Sequence, residues 1–370
     1  MLAMMTLLHG VSAFQGASLA TSSATRHGSV ISNSQLNAAT SLLPDFSALP
    51  TTSSNSNVQL RTYTHDGWTL KYRYKPAAKG KENEPPLLLV HPVGIGMSSW
   101  YWDEFMTSWN DGGAVYAPDL IGCGIDNGSD AWNPQERGLF FPLSWVKGCE
   151  TLLQQVIMQS NYNNNNPLSS LLPQKKTVTV VTQGGLAPVG VMLAARNPDT
   201  VSRLVMSSPP TWAEMTTPVP EAELEKNYNF LQSNLGGVAF GALESEWAIR
   251  FFSNLFLFQG NADDTWMQEC LQECRHVNAR PPIQAFNAGL MQHRSYQEEL
   301  TALSQPTTIV QGKGDNNRIP LRQEYETEMK DCSVVTLPEG LNVLPWESAG
   351  LFAKTVQEAQ EKLARVKRGW

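Results

Sequence analysis

An α/β fold is what this sequence predicts: an about eight-stranded, mostly parallel sheet flanked by helices, with a helical cap insertion late in the chain. Three observations carry that reading. Short apolar, β-prone runs at 86–90, 114–120, 177–181, 201–206, 307–311 and 332–337 alternate with helical patterns, a beat that builds a parallel sheet with crossover helices on both faces. Between Ser208 and Gln305 the beat stops and helical patterning takes over. A strand at Thr177–Val181, a tight turn and an amphipathic helix ended by Asn197-Pro198 follow one another without a gap. The expected organisation is therefore a targeting segment at 1–56, a core at 57–210 and 306–370, and a cap at 211–305.

Taken in order, Leu60 to Tyr74 holds a strand pair around His65-Asp66-Gly67, a strong hairpin signal that brings the strand count to eight. Lys79 to Pro86 is a charged loop. Helices are expected near Ser99–Asn110 and Pro142–Ser160, and Asn161–Pro167 is a solvated asparagine-rich loop. Pro209-Pro210 opens the cap, with helices expected over Glu221–Leu231, Glu244–Phe256, Asp263–His276 and Pro282–His293. Phe251, Phe252, Leu255, Phe256 and Leu257 either line an apolar pocket or pack the cap onto the core. A helix near Pro320–Met329 and a closing helix at Glu347–Val366 complete the core.

The strand–turn–helix around Thr182-Gln183-Gly184-Gly185 is the setting of a nucleophile elbow, in which glycines let a serine stand exposed above the sheet. Leu87–Gly94 resembles the strand and oxyanion loop of the α/β-hydrolase superfamily, and Val115–Gly124 its next strand and glycine turn. Val201–Met206 and Thr307–Asp315 are similar to the strand after the elbow helix and the strand that delivers the catalytic acid. The resemblance spans about residues 57 to 368 and implies Asp315 as the acid. It also implies the backbone N–H groups of Val93 and Gly185 as oxyanion-type donors. His91 resembles the family's structural loop histidine.

The sequence departs from that pattern at two places. Counting to the helix-ending Pro198 puts Gly184 in the nucleophile position, and glycine has no side chain with which to attack. No histidine occurs between Asn316 and Trp370. The loop after the last expected strand presents Asn342 and Val343 where the histidine belongs, followed by the Pro345-Trp346-Glu347 tail. A serine–histidine–acid mechanism needs nucleophile, base and orienting acid together. This pair of departures also resembles a cyanobacterial and plastid subgroup of the superfamily with a degenerate triad.

A formal net charge of −7 and a pI near 5.5 argue against a nucleic-acid partner. The apolar run at Met1–Ala13 is too short to span a bilayer and ends on small residues before Phe14. Gln15–Pro44 is rich in Ser and Thr and free of acidic residues, which is transit-peptide composition. Together they resemble the bipartite presequence of complex plastids, so the expected address is the plastid (chloroplast), with no stable membrane span. Five cysteines form no disulfide framework. In Cys270-x3-Cys274-x-His276 helical spacing puts both sulfurs on one face, but zinc needs more ligands and no second cluster is visible, so no metal and no cofactor are expected.

Four histidines lie outside the presequence: His65, His91, His276 and His293. His276 and His293 belong to the cap and are the candidate replacement bases; Cys123 is the candidate replacement nucleophile, read as a structural thiol. Three readings stay open. One is a protein without serine-hydrolase chemistry that binds a small apolar or acyl-type ligand under the cap. Another is a hydrolase or lyase of non-standard mechanism using Asp315, a cap histidine and water. The last is a scaffold with a filled cavity.

Overall fold

Parallel strands buried on both faces need apolar residues at successive positions, and this chain supplies them. A computed structural model of the protein describes residues 57–132, 141–159 and 176–367. The strands are β1 (Gln59–His65), β2 (Trp68–Lys75), β3 (Leu87–Val90), β4 (Val115–Pro118), β5 (Val178–Gln183), β6 (Val201–Ser207), β7 (Thr307–Gly312) and β8 (Cys332–Leu337). They form one eight-stranded sheet in the order β1-β2-β4-β3-β5-β6-β7-β8. Only the β1–β2 and β2–β4 pairings are antiparallel; the rest are parallel.

Side chains alternate between the faces with a period of two, as pleating requires. Leu88 and Val90 of β3, Val180 of β5, Leu204 and Met206 of β6 and Ile309 of β7 enter one apolar layer. Leu87, Leu89, Val181, Val205 and Val310 enter the other. The first layer is covered by α1 (Leu143–Leu152), which continues as a π-helical turn at Leu153–Ile157, and α2 (Ala187–Arg196). The second is covered by the 3₁₀ turn Ser99–Trp102, the short helix Asp103–Ser108 and the closing helix Ala349–Lys367.

The cap contains α3 (Trp212–Thr216), α4 (Glu221–Gln232), α5 (Asn234–Leu243), α6 (Glu246–Phe256), α7 (Asp264–Glu273), α8 (Arg280–Asn287) and α9 (Gln297–Ala302). Helix α5 is absent from the sequence reading because glycine disfavours helix interiors. Its Gly236 is required by close packing, since a Cβ there would lie 2.1 Å from Phe230 O, and Ser233 caps the helix by accepting the Gly236 N–H at 3.1 Å. The expected helix at Pro320–Met329 is instead two short ones, Ile319–Arg322 and Glu324–Glu328. The presequence and the asparagine run at 161–167 lie outside the described residues. Among the described residues no helix is long and apolar enough to cross a membrane.

The cap is clamped to the sheet by an indole cluster. Trp266 of α7 is fully buried, with its ring 5.3 Å from Trp100, 5.4 Å from Trp346 and 4.9 Å from Phe258, each edge to face. Its indole N–H donates to Ser253 Oγ at 3.1 Å, and the Trp346 indole donates to Asp263 at 2.8 Å.

Candidate functional site

The loops leaving the C-terminal ends of β3, β5, β6, β7 and β8 meet on one side of the sheet, where ligands bind in open α/β folds. Under the cap they enclose a cavity of about 190 Å³. Pro92 and Val93 come from the loop after β3, Gln183 to Gly185 from the turn after β5, Ser208 from after β6, Arg318 from after β7, and Asn342 and Val343 from after β8. The cap closes it with Leu243, Ile249, Phe252, Phe256, Leu257, Trp266, Ile283 and Phe286.

Helical spacing decides which of the α6 residues face inward. Ile249, Phe252, Ser253 and Phe256 fall on one side and line the cavity. Phe251 and Leu255, which the sequence placed among the candidate lining residues, point away and are 46% and 53% exposed. Phe252, Phe256 and Leu257 do line it.

Gly184 has φ +56°, which favours glycine. A Cβ there would meet nothing within 4 Å, so the turn faces open space. Beside it, the Gln183 side-chain amide donates to Asn342 O at 2.5 Å. Asn342 also ties the loop to the cap: its N–H donates to Leu257 O at 3.0 Å and its side-chain amide to Phe256 O at 2.7 Å. Glu347 holds the same loop, accepting from the N–H groups of Leu341 (2.9 Å), Gln259 (2.7 Å) and Gly260 (3.0 Å).

Asp315 does not line the cavity. Its carboxylate accepts from Arg322 Nη1 at 2.8 Å, and Arg322 is fully buried with its Nε donating to Pro209 O at 2.6 Å. The Gly340 loop is held instead by the Gly314 N–H, which donates to Gly340 O at 2.9 Å. A second ion pair lies next to it, where Arg318 Nη2 donates to Glu214 Oε1 at 3.0 Å. Glu214 Oε2 is already engaged by the Thr211 N–H at 2.7 Å, closing a capping box at the start of α3.

The histidines sit elsewhere. His91 is fully buried: the Leu120 N–H donates to its Nε2 at 3.0 Å, so its proton is on Nδ1, which donates to Pro92 O at 2.7 Å. Burial holds its pKa below the usual histidine range. His276 pairs with Asp126 at 3.3 Å, and His293 is an exposed residue whose Nδ1 bonds Leu290 O at 2.8 Å. Neither faces the cavity. Among the described residues the wall contains no His, Asp, Glu, Lys or Tyr. Its one thiol, Cys270, is fully buried, and burial pushes its pKa well up, as it does for Cys123 outside the wall. Among the described residues no group of three metal-ligating side chains comes together.

Glu273 of α7 latches the cap to the core. Its carboxyl accepts from the backbone N–H of Ile125 at 2.8 Å and of Asp126 at 3.4 Å. Burial, reinforced by Asp119, pushes its pKa from 4.5 up to about 7. Between those values the folded carboxyl keeps a proton that the unfolded chain has released, so folding takes up a proton and stability falls as pH rises through this window. Glu273→Gln is therefore expected to flatten the stability profile between pH 4.5 and about 7, removing a slope of at most about 1.4 kcal/mol per pH unit. Thermal denaturation of both proteins across that range checks it; parallel profiles would refute it.

The sequence pointed to Gln183, Gly184, Gly185, Val93, Asn342 and Val343, and these six meet at the cavity. It did not single out Arg318, Arg322 or Glu214. The signal for the two arginines is the Asp315-x-x-Arg318-x-x-x-Arg322 spacing, which reads as an ordinary solvated helix face, and that for Glu214 is the Thr211-x-x-Glu214 capping-box pattern.

A predominantly parallel sheet whose loops converge on a pocket under a helical insertion defines a capped α/β protein of the hydrolase type. Residues 87–355 match the model of the alpha/beta hydrolase family, and the chain belongs to that family. No curated protein matches the sequence. Among solved structures, it is similar to a serine hydrolase from Cycloclasticus zankles at 14% identity and TM-score 0.58, covering 84% of this chain and 99% of that one. Epoxide hydrolase CorEH is similar at 18% identity and TM-score 0.55, over 83% of this chain and 99% of that one. A variant of the haloalkane dehalogenase DatA from Agrobacterium tumefaciens C58 is similar at 15% identity and TM-score 0.54, over 83% and 98%. At such identities the likeness speaks to the fold alone.

Proposed function

We propose that this protein is a member of the α/β-hydrolase family without serine-hydrolase chemistry, which holds a small apolar or acyl-type ligand under its cap and works in the plastid. One observation carries the reading: among the described residues, the cavity wall has no side chain able to act as a general base. Gly184 stands where the elbow would present a nucleophile. Asp315, the residue in the acid position, is engaged by Arg322 rather than by an imidazole. The placing of His276 and His293 away from the cavity speaks against a cap histidine acting with Asp315 and water. The open cavity speaks against a scaffold with a filled interior.

The test is a panel of acyl esters of increasing chain length, joined by an epoxide and a haloalkane because proteins named for those substrates share the fold. No turnover above the blank is expected, together with a rise in thermal midpoint when a non-hydrolysed short ester is added. Turnover that disappears in Asp315→Asn, at an unchanged thermal midpoint, overturns the reading. Gly184→Ser extends the test, since the site has room for a hydroxyl. It is expected to cost about 1–2 kcal/mol through the positive φ and to leave ester hydrolysis at the blank level, because no base is present to take the serine proton.

A further inference from the structure

A surface helix ordinarily turns its apolar stripe inward and its charges to water, but α6 is apolar on both sides. Trp247, Phe251 and Leu255 recur at helical spacing on the side away from the cavity, and Trp247 is 67% exposed. The preceding helix α5 adds Leu235 and Val238, 62% and 74% exposed, and no charged residue occurs between Lys226 and Glu244. Single apolar residues scattered over a surface are ordinary; rows of them on two consecutive helices mark a face that something covers. The α6 row does not stop at the surface. The Trp247 ring stacks on Phe251 at 5.3 Å, Phe251 meets Phe252 edge to face at 5.2 Å, and Phe252 stacks on Phe256 at 6.1 Å. Phe252 and Phe256 line the cavity, so four rings run unbroken from solvent to its wall.

We infer that this face of the cap rests on a membrane surface with neutral headgroups, Trp247, Phe251 and Leu255 entering the boundary between headgroups and acyl chains. Size favours lipid over protein: five large apolar side chains fall well short of the roughly 20–30 residues a side of a specific protein interface or stable dimer. Shallow insertion of one apolar helix face is enough to hold a protein on a bilayer, and Trp, Phe and Leu are the residues that do it. The rim offers a protein partner little, because Arg250 Nη2 already lies 3.2 Å from Asp264 and 3.8 Å from Glu246. The same count sets the headgroup: two acids to one cation at the rim, on a chain of net charge −7, give no attraction to an anionic lipid. Continuity is the last argument. The ring path ends in a largely apolar cavity, and an apolar ligand concentrates in lipid rather than in water. That point alone rests on the cavity being a ligand site.

Co-sedimentation of the full chain with phosphatidylcholine vesicles, with no ligand added, tests the docking apart from the cavity. The unaltered protein is expected to bind, and Trp247→Glu and Leu255→Glu each to bind about tenfold more weakly or worse at an unchanged thermal midpoint. Should Trp247→Glu lower the midpoint, Leu255→Glu, whose side chain is in no ring stack, decides. Trp247→Phe is expected to keep the binding but lose most of the fluorescence quenching by brominated phosphatidylcholine, because Trp247 is the most exposed tryptophan among the described residues. Replacing a third of the lipid by phosphatidylglycerol, about one molecule in three, should not tighten the binding. Absence of vesicle binding, undiminished binding in both glutamate variants, or quenching that survives Trp247→Phe overturns the docking and leaves the ligand-binding reading untouched. Tighter binding to the phosphatidylglycerol vesicles overturns the neutral headgroup. A dimer that forms without vesicles and dissociates in Trp247→Glu gives the face to a second copy of the chain and overturns the lipid occupant.

Discussion

Asp315→Ala is expected to lower the stability of the protein by about 3–5 kcal/mol, the cost of leaving a buried guanidinium without its counter-charge. Arg322 has no exposed side-chain surface, and Asp315 is its one carboxylate partner among the described residues. Burial already holds the Arg322 pKa below the usual arginine range, the mark of surroundings that penalise the charge unless a counter-ion is present. Replacing both members, as Asp315→Leu with Arg322→Met, should cost far less than Asp315→Ala alone, roughly the 1–2 kcal/mol of an orphaned Pro209 carbonyl. For a domain of this size the single change lowers the thermal midpoint by on the order of 5–10 °C. If Asp315→Ala leaves the midpoint where it was, Asp315 is not the structural counter-ion described here, and a role in chemistry regains ground.

The second large effect is expected at Trp266. Truncation to alanine removes an indole that touches Trp100, Trp346 and Phe258 and donates to Ser253, and should cost about 3–5 kcal/mol. Because Trp266 belongs to the cap while Trp100 and Trp346 belong to the core, the loss should fall unevenly. Limited proteolysis should cut within 211–305 before the sheet unfolds, and the cavity that Trp266 helps to wall should lose its ligand affinity at the same time. Trp266→Phe keeps part of the packing and should cost less than half as much. Simultaneous loss of cap and core would show that the indole cluster holds the whole molecule and not the cap in particular.

Much of the fold was legible because it depends on local patterning. Alternating apolar runs and helical stretches mark the sheet, and the interruption at Pro209-Pro210 marks the cap. Helix α5 was missed because propensity counts its glycines as a penalty, whereas Gly236 serves a close backbone approach. Phe251 and Leu255 were grouped with Phe252 and Phe256 because all are apolar; the hundred-degree step between helix positions, set against a particular neighbour, separates them. The part of the site made from loops at strand ends was readable from the elbow and from the loop after the last strand. Arg318 was not, since its carboxylate partner Glu214 stands 104 residues earlier in the chain and nothing local marks the pair.

By itself the sequence determined the family, the order of the strands along the chain, and which residue types occupy the elbow and the loop after the last strand. Those depend on spacing and on the identity of single residues, which are fully present in one dimension. Only the tertiary structure decided that Asp315 is tied to Arg322, that His276 and His293 lie away from the cavity, and that Arg318 lines it. Each of these is a matter of which groups share a desolvated volume. Desolvation sets both what a buried charge must pair with and what a ligand can offer it, and it exists only once distant segments have closed over one another.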